Sequence, residues 1–184
     1  FFVARAGLGA SESMRSKLAE YNDPRLSRAF ITKQGTSGKE QAPGTADNAV
    51  YAPNGTPEQG TSKYGTSLFM YSISAPTLLL SYHELKFLEA EALCRLERDA
   101  KSALKDAVVA GLLNAANSFT ISRKELGKTL INAASSITEA EAESYFDNTI
   151  EAKYTAEPLK TTMTQKYFAL WGASGEATES YNDV

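Results

Sequence analysis

The sequence has little of what metal or nucleophile chemistry requires: its 184 residues include one cysteine and one histidine. A single thiol cannot form an intrachain disulfide, so cysteine usage does not reveal the redox compartment. A zinc site of the usual sulfur and nitrogen type needs more ligands than this, and no cofactor or metal is expected. His83 and Cys94 share a helical segment, but roughly 16 Å of helical rise separates them, too far for a thiolate–imidazole pair. His83 therefore reads as a half-buried polar residue and Cys94 as a small core residue.

A basic excess is missing too. A net charge of −3 and a pI near 5.3 provide no field for collecting phosphates, which argues against nucleic acid or an acidic membrane surface as a partner. No apolar run approaches the roughly 20 residues of a membrane-spanning helix, and Phe1-Phe2-Val3 lacks the charged and apolar regions of a signal peptide. The chain starts without Met and stops at Val184, so a piece of a longer protein is expected, with any export signal upstream.

What is present is an ordinary globular composition, 42% hydrophobic and 22% charged, and a strong helical rhythm. Pro76 to Leu96 is predicted as the central helix. Leu78, Tyr82, Leu85, Leu88, Ala92, Leu93 and Leu96 recur on one side of it, and Leu79, Leu80, Phe87, Ala90 and Cys94 widen the apolar surface. Glu84 and Glu91 interrupt that surface and need partners if buried, for which Lys166 and Arg95 are at hand.

Before it, Ser11 is placed to cap a helix ending at Asn22-Asp23-Pro24, with Met14 and Leu18 inward. Arg25 to Ile31 reads as an extended stretch or short helix. The stretch 34–74 holds half of the 12 glycines and half of the 6 prolines and reads as a long irregular loop. Its aromatics include Tyr51, Tyr64 and Tyr71, which suit either stacking on a sugar ring or pinning the loop to the body.

After the central helix, Asp99 to Ala116 forms its hairpin partner, with Leu104, Ala107, Val108, Leu112 and Ala115 inward and Gly111 permitting close approach. Ser122 with Glu125 carries a capping-box pattern for a further short piece through Leu130 and Ile131. Thr138 with Glu141 repeats that pattern and opens a helix with Ala142, Tyr145, Phe146, Ile150 and Tyr154 inward. Pro158 opens the last helix, on which Leu159, Met163, Tyr167, Leu170 and Trp171 recur. No clean 34-residue repeat joins these hairpins.

Short motifs carry no chemistry. Gly35-Thr36-Ser37-Gly38-Lys39 lacks the first glycine and the following helix of a phosphate loop. Ser102-Ala103-Leu104-Lys105 has no supporting catalytic elements. Glu84 and Glu91 stand roughly 10 Å apart along a helix with no cleft between them, and Asn54-Gly55-Thr56 is turn chemistry before it is a glycosylation sequon.

Taken together, several segments resemble the SusD/RagB family of Bacteroidota. LLLSYHELKFLEAEALCR is similar to the family's Ala-Glu-Ala helix, and Asn22-Asp23-Pro24-Arg25-Leu26 to its Asp-Pro-Arg turn. Thr164-Gln165-Lys166-Tyr167-Phe168-Ala169-Leu170-Trp171 is similar to its Gln-Lys helix, with Glu176 to Asp183 standing where a Trp-Asp-x-Arg-Arg stretch begins. The resemblance implies an all-α (mainly α) fold of tetratricopeptide-like hairpins with a long Gly/Pro-rich loop. Residues 1–184 would then be a fragment of a single SusD-like domain: 1–33 a short helical segment, 34–74 an irregular loop, 75–184 paired helices.

It further implies a surface-exposed, lipid-anchored outer-membrane protein with no enzymatic activity. Such a protein binds glycan, oligosaccharide or peptide as the lid of a SusC-like TonB-dependent transporter. The anchoring cysteine lies outside these residues, and no binding residue carries over by motif. Tyr51, Tyr64 and Tyr71 remain the candidates from the loop itself. The competing reading is a helical scaffold that docks another protein without taking a small ligand.

Overall fold

The computed structural model describes residues 10–34, 39–41, 51–55, 64–71, 74, 77–126 and 136–171. The fold is mainly α-helical and falls into two compact units. The first comprises Phe1–Ser74 with Asn117–Ser136, the second Ala75–Ala116 with Ile137–Val184.

In the first unit, α1 (Glu12–Glu20) begins as its sequence requires: the Ser11 hydroxyl accepts the Met14 amide, and Met14 and Leu18 are buried. Tyr21 ends it, and Asn22 takes a left-handed φ of 50° on the way to Pro24. The Asp23 carboxylate then closes a turn on itself, accepting the Arg25 amide at 2.9 Å, Nε at 2.8 Å and Nη2 at 2.6 Å. Both residues are buried, so the turn is a fully desolvated ion pair made within three residues.

Both alternatives expected for Arg25 to Ile31 occur in sequence: a short helix α2 (Leu26–Ala29) leads into strand β1 (Phe30–Gln34). β1 pairs antiparallel with β2 (Lys39–Gln41) on one side and β3 (Thr66–Ser67) on the other, giving the order β2-β1-β3. The 34–74 stretch is thus not irregular throughout. Its strands are too short to show periodicity, and pairing with β1, not local propensity, makes them. A 3₁₀ turn at Leu68–Tyr71 follows, and Phe69 stacks on Phe119 at 4.8 Å between ring centroids.

In the second unit, α3 (Tyr82–Arg95) starts six residues later than Pro76, at an N-cap where the Ser81 hydroxyl accepts the Glu84 amide. Its orientation reverses the expectation. His83, Glu84, Phe87 and Ala90 are buried, whereas Tyr82, Leu85, Leu88 and Leu96 face solvent, as do Leu79 and Leu80 before it. The inner face is set by α7 (Pro158–Leu170), which covers α3 with Thr162, Gln165, Lys166 and Ala169. On α7 the expected stripe is split: Leu170 is buried as predicted, Met163 and Trp171 are half-buried, and Leu159 and Tyr167 are exposed. Lys166 donates to Glu91 and Cys94 touches the Thr162 hydroxyl across the seam, so burial does not follow hydrophobicity there.

α4 (Lys101–Leu126) runs back along α3 and is longer than expected. Ser122 and Glu125 start no new helix: the Ser122 hydroxyl donates to the Ser118 carbonyl at 2.8 Å inside α4. Leu130, Ile131, the 35–38 glycine pattern, Pro76 and residues 172–184 lie outside the described residues. A Cβ on Gly111 would sit 2.9 Å from the Ala169 Cβ, so this glycine lets α4 lie close against α7. α5 (Glu139–Tyr145) opens on the Thr138 cap and passes through a π turn, Phe146–Ile150, into α6 (Glu151–Ala156). Ala142, Tyr145, Phe146, Ile150 and Tyr154 are all buried, as their spacing predicts. Lys101 and Lys105 of α4 pair with Glu151 and Asp147, while the Tyr154 hydroxyl accepts the Ala100 amide at 2.8 Å.

Candidate functional site

Tyr51 sits on a short segment, 51–55, that α1 holds by its first turn. The Ala52 amide donates to the Ala10 carbonyl at 2.8 Å, the Glu12 amide donates to the Ala52 carbonyl at 3.0 Å, and the Ser11 hydroxyl donates to Asn54 Oδ1 at 2.8 Å. Gly55 closes the turn with φ +77°, a value that glycine adopts without steric cost. The Tyr51 ring is half-buried, edge-on to Phe30 at 5.3 Å, with the Arg15 guanidinium 5.5 Å from its centroid. Burial pushes the phenol pKa up, and Arg15 partly offsets that.

The other two tyrosines differ. Tyr64 is buried at 5% exposure, so its ring is occupied by protein on both faces and anchors the chain beside Gly65, whose carbonyl accepts the Ala10 amide. Tyr71 ends the 3₁₀ turn, and its side chain lies outside what is described. Of the three candidate tyrosines, Tyr51 is therefore the one with an exposed hydrogen-bonding group, Arg15, shown beside its ring, and Asn54 lies exposed on the same segment. Such a set matches a ligand with apolar faces ringed by hydroxyls, or a peptide.

A second concavity, of about 360 Å³, lies in the other unit between α3, α4 and α5, lined by Tyr82, Asp106, Val109, Leu113, Glu139 and Glu143. Lys105 at its edge is held by Asp147, whose hydrogen bond raises the ammonium pKa. Sequence reasoning missed this cleft because Tyr82 reads as an inward position on the leucine stripe.

Glu91 and Cys94 of the second unit make structural contacts. Glu91 accepts from Arg95 Nε at 2.8 Å and from Lys166 Nζ at 3.0 Å, the two partners named for it from sequence. Cys94 Sγ lies 3.5 Å from the Thr162 hydroxyl. Among the described residues, no group of three or more His, Cys, Asp or Glu is placed to hold a metal ion, and no helix is long and apolar enough to cross a membrane.

Residues 2–179 match the family model SusD-like, described as starch-binding and associating with the outer membrane. The chain belongs to the SusD-like family. Its fold superposes with a TM-score of 0.92 on a SusD/RagB family protein from Bacteroides thetaiotaomicron, at 59% identity. The match covers 100% of this chain and 39% of that one, so these residues span well under half of that protein. Among curated proteins none matches. SusD-like proteins are generally non-catalytic binding proteins and pair with SusC transporters.

The SusD-like segments now have a physical meaning. The carboxylate of Ala90-Glu91-Ala92 and the ammonium of Gln165-Lys166 meet as a single ion pair across α3 and α7. The Asp23-Pro24-Arg25 segment is the self-closed turn of the first unit. In this chain the motif residues form structural contacts.

Proposed function

We propose that this SusD-like chain belongs to a non-catalytic nutrient-binding protein at the outer-membrane surface. It takes glycan or oligosaccharide, or peptide, and acts as the lid of a SusC-like TonB-dependent transporter. The anchoring lipid is carried outside residues 1–184, which form part of one SusD-like domain. The observation that carries this reading is the family match across 2–179. The half-buried Tyr51 ring beside Arg15 and Asn54 supports it as a ligand contact, with Tyr71 on the same stretch as a second candidate. Tyr64, being buried, supports the loop and not the ligand.

Titration calorimetry against a panel of soluble polysaccharides and peptides tests the binding role. Arg15→Ala and Asn54→Ala, both near the chain surface, weaken binding at least about tenfold while leaving the melting temperature in place; Tyr51→Ala removes it. A ligand bound equally well by all three variants refutes this site. Co-purification of a barrel transporter with the lipid-anchored protein tests the lid role, and a soluble parent without an anchor refutes it.

A further inference from the structure

The outer face of α3 is the largest disagreement between amphipathic logic and exposure in this chain. Tyr82, Leu85, Leu88, Ala92 and Leu96 recur at three- and four-residue steps along it, and Leu79 and Leu80 extend it upstream. Leu85, Leu88 and Leu96 are 52%, 44% and 63% exposed. Single exposed leucines are ordinary, but a continuous aliphatic row on one helix marks a surface made to be covered.

Charges beside that row are already paired with one another. Lys86 bridges Glu89 at 2.9 Å and Asp106 at 3.5 Å, and Arg95 is held by Glu91. The face therefore recruits an apolar, uncharged surface and not an acidic or basic partner. The same backbone occurs within a longer polypeptide at TM-score 0.92, where it makes up only 39% of the chain. A helix cut from the middle of a larger core exposes an aliphatic row of this kind. A polar coat would be expected if this face met water in the complete protein.

We infer that the Leu79–Leu96 face is an intramolecular interface, covered in the full-length protein by an apolar layer from the part of the polypeptide that residues 1–184 do not span. It is a packing surface and serves neither self-association nor the capture of a separate partner. The proposal does not depend on the identity of the nutrient.

The test places these 184 residues in the Bacteroides thetaiotaomicron SusD/RagB protein, in place of the 39% they match, and compares that full-length chimera with the 184-residue chain. In a Cys94→Ala background, Leu85→Cys is labelled by a soluble maleimide. The thiol reacts rapidly in the short chain and at least about 100-fold more slowly in the chimera. In addition, Leu85→Gln with Leu88→Gln lowers the melting temperature of the chimera by about 5 °C or more and leaves that of the short chain within about 1 °C. Equal labelling rates, or equal thermal shifts, overturn the inference. So does a short chain that protects the thiol by forming a dimer, because the occupant is then a second copy.

Discussion

Asp23–Arg25 in the first unit and Glu91–Lys166 in the second are both carboxylate–cation pairs, the first fully buried and the second part-buried; one closes over two residues of sequence and the other over 75. The short-range pair concentrates its contacts: one carboxylate accepts a backbone amide and two guanidinium nitrogens, and both residues are only 2% exposed. The long-range pair is shared. Glu91 divides its oxygens between buried Lys166 and Arg95, whose side chain is 56% exposed. A fully buried pair loses more than a part-exposed one when one member is removed, because water cannot easily reach the charge left behind.

Asp23→Ala is the severest way to break the first pair. It removes the carboxylate that accepts the Arg25 amide, Nε and Nη2 in the core and is expected to cost about 3–5 kcal/mol, read as a lower urea midpoint. A loss under about 1 kcal/mol would mean that the turn does not depend on its carboxylate. Lys166→Met makes the equivalent cut in the second unit and is expected to cost about 1–2 kcal/mol, since Arg95 still faces Glu91 and methionine fills the lysine stem's volume. If Lys166→Met proves as costly as Asp23→Ala, the distinction between the fully buried and the part-exposed pair fails.

The same contrast explains what was legible. Features made by near neighbours were readable: the caps at Ser11 and Thr138, Pro158 at a helix start, and the inward Ala142, Phe146, Ile150 and Tyr154. Glu91's partners were also readable, because a carboxylate on an apolar helix restricts the candidates to the few cations able to reach it. The face of α3 was not, nor the Leu159 and Tyr167 part of α7. Periodicity assumes that the apolar side is the covered side, and here Thr162, Gln165 and Lys166 line the seam while leucines line the outside. Strands β2 and β3 were hidden because three and two residues show no alternation. The same limit applies to the candidate site: Tyr51 and Tyr64 are alike in sequence, and only tertiary packing makes one half-buried and the other a core residue.

Gly111 sharpens the comparison for contacts without charge. Its backbone approaches α7 so closely that an alanine Cβ would lie 2.9 Å from the Ala169 Cβ, and Phe87 lies 3.9 Å away on the other side. The Phe87 contact is an ordinary one, but the Ala169 Cβ sits on a packed helix and yields only by moving it. Overpacking of about 1–3 kcal/mol opposes the helix propensity of up to about 1 kcal/mol that alanine gains over glycine. A net loss of about 1 kcal/mol is expected for Gly111→Ala, and a stabilised variant would show that α7 is free to shift.

The smallest effect separates the shared pair from its solvent by pH. Burial alone would raise the Glu91 pKa, but hydrogen bonds from Lys166 and Arg95 outweigh it and hold the carboxyl below its ordinary value of 4.5. A folded-state pKa below the unfolded one means that folding favours the charged form. That contribution is complete above the unfolded pKa and disappears as pH falls through the folded one. Glu91→Gln removes the titration and keeps the shape. The stability gap between the parent chain and this variant should be constant from about pH 7 to 5 and should shrink below about 4.5, tracked by urea midpoints. A gap that persists unchanged to about pH 3 would assign the seam's strength to packing by Phe87, Ala90 and Ala169 instead of to the ion pair.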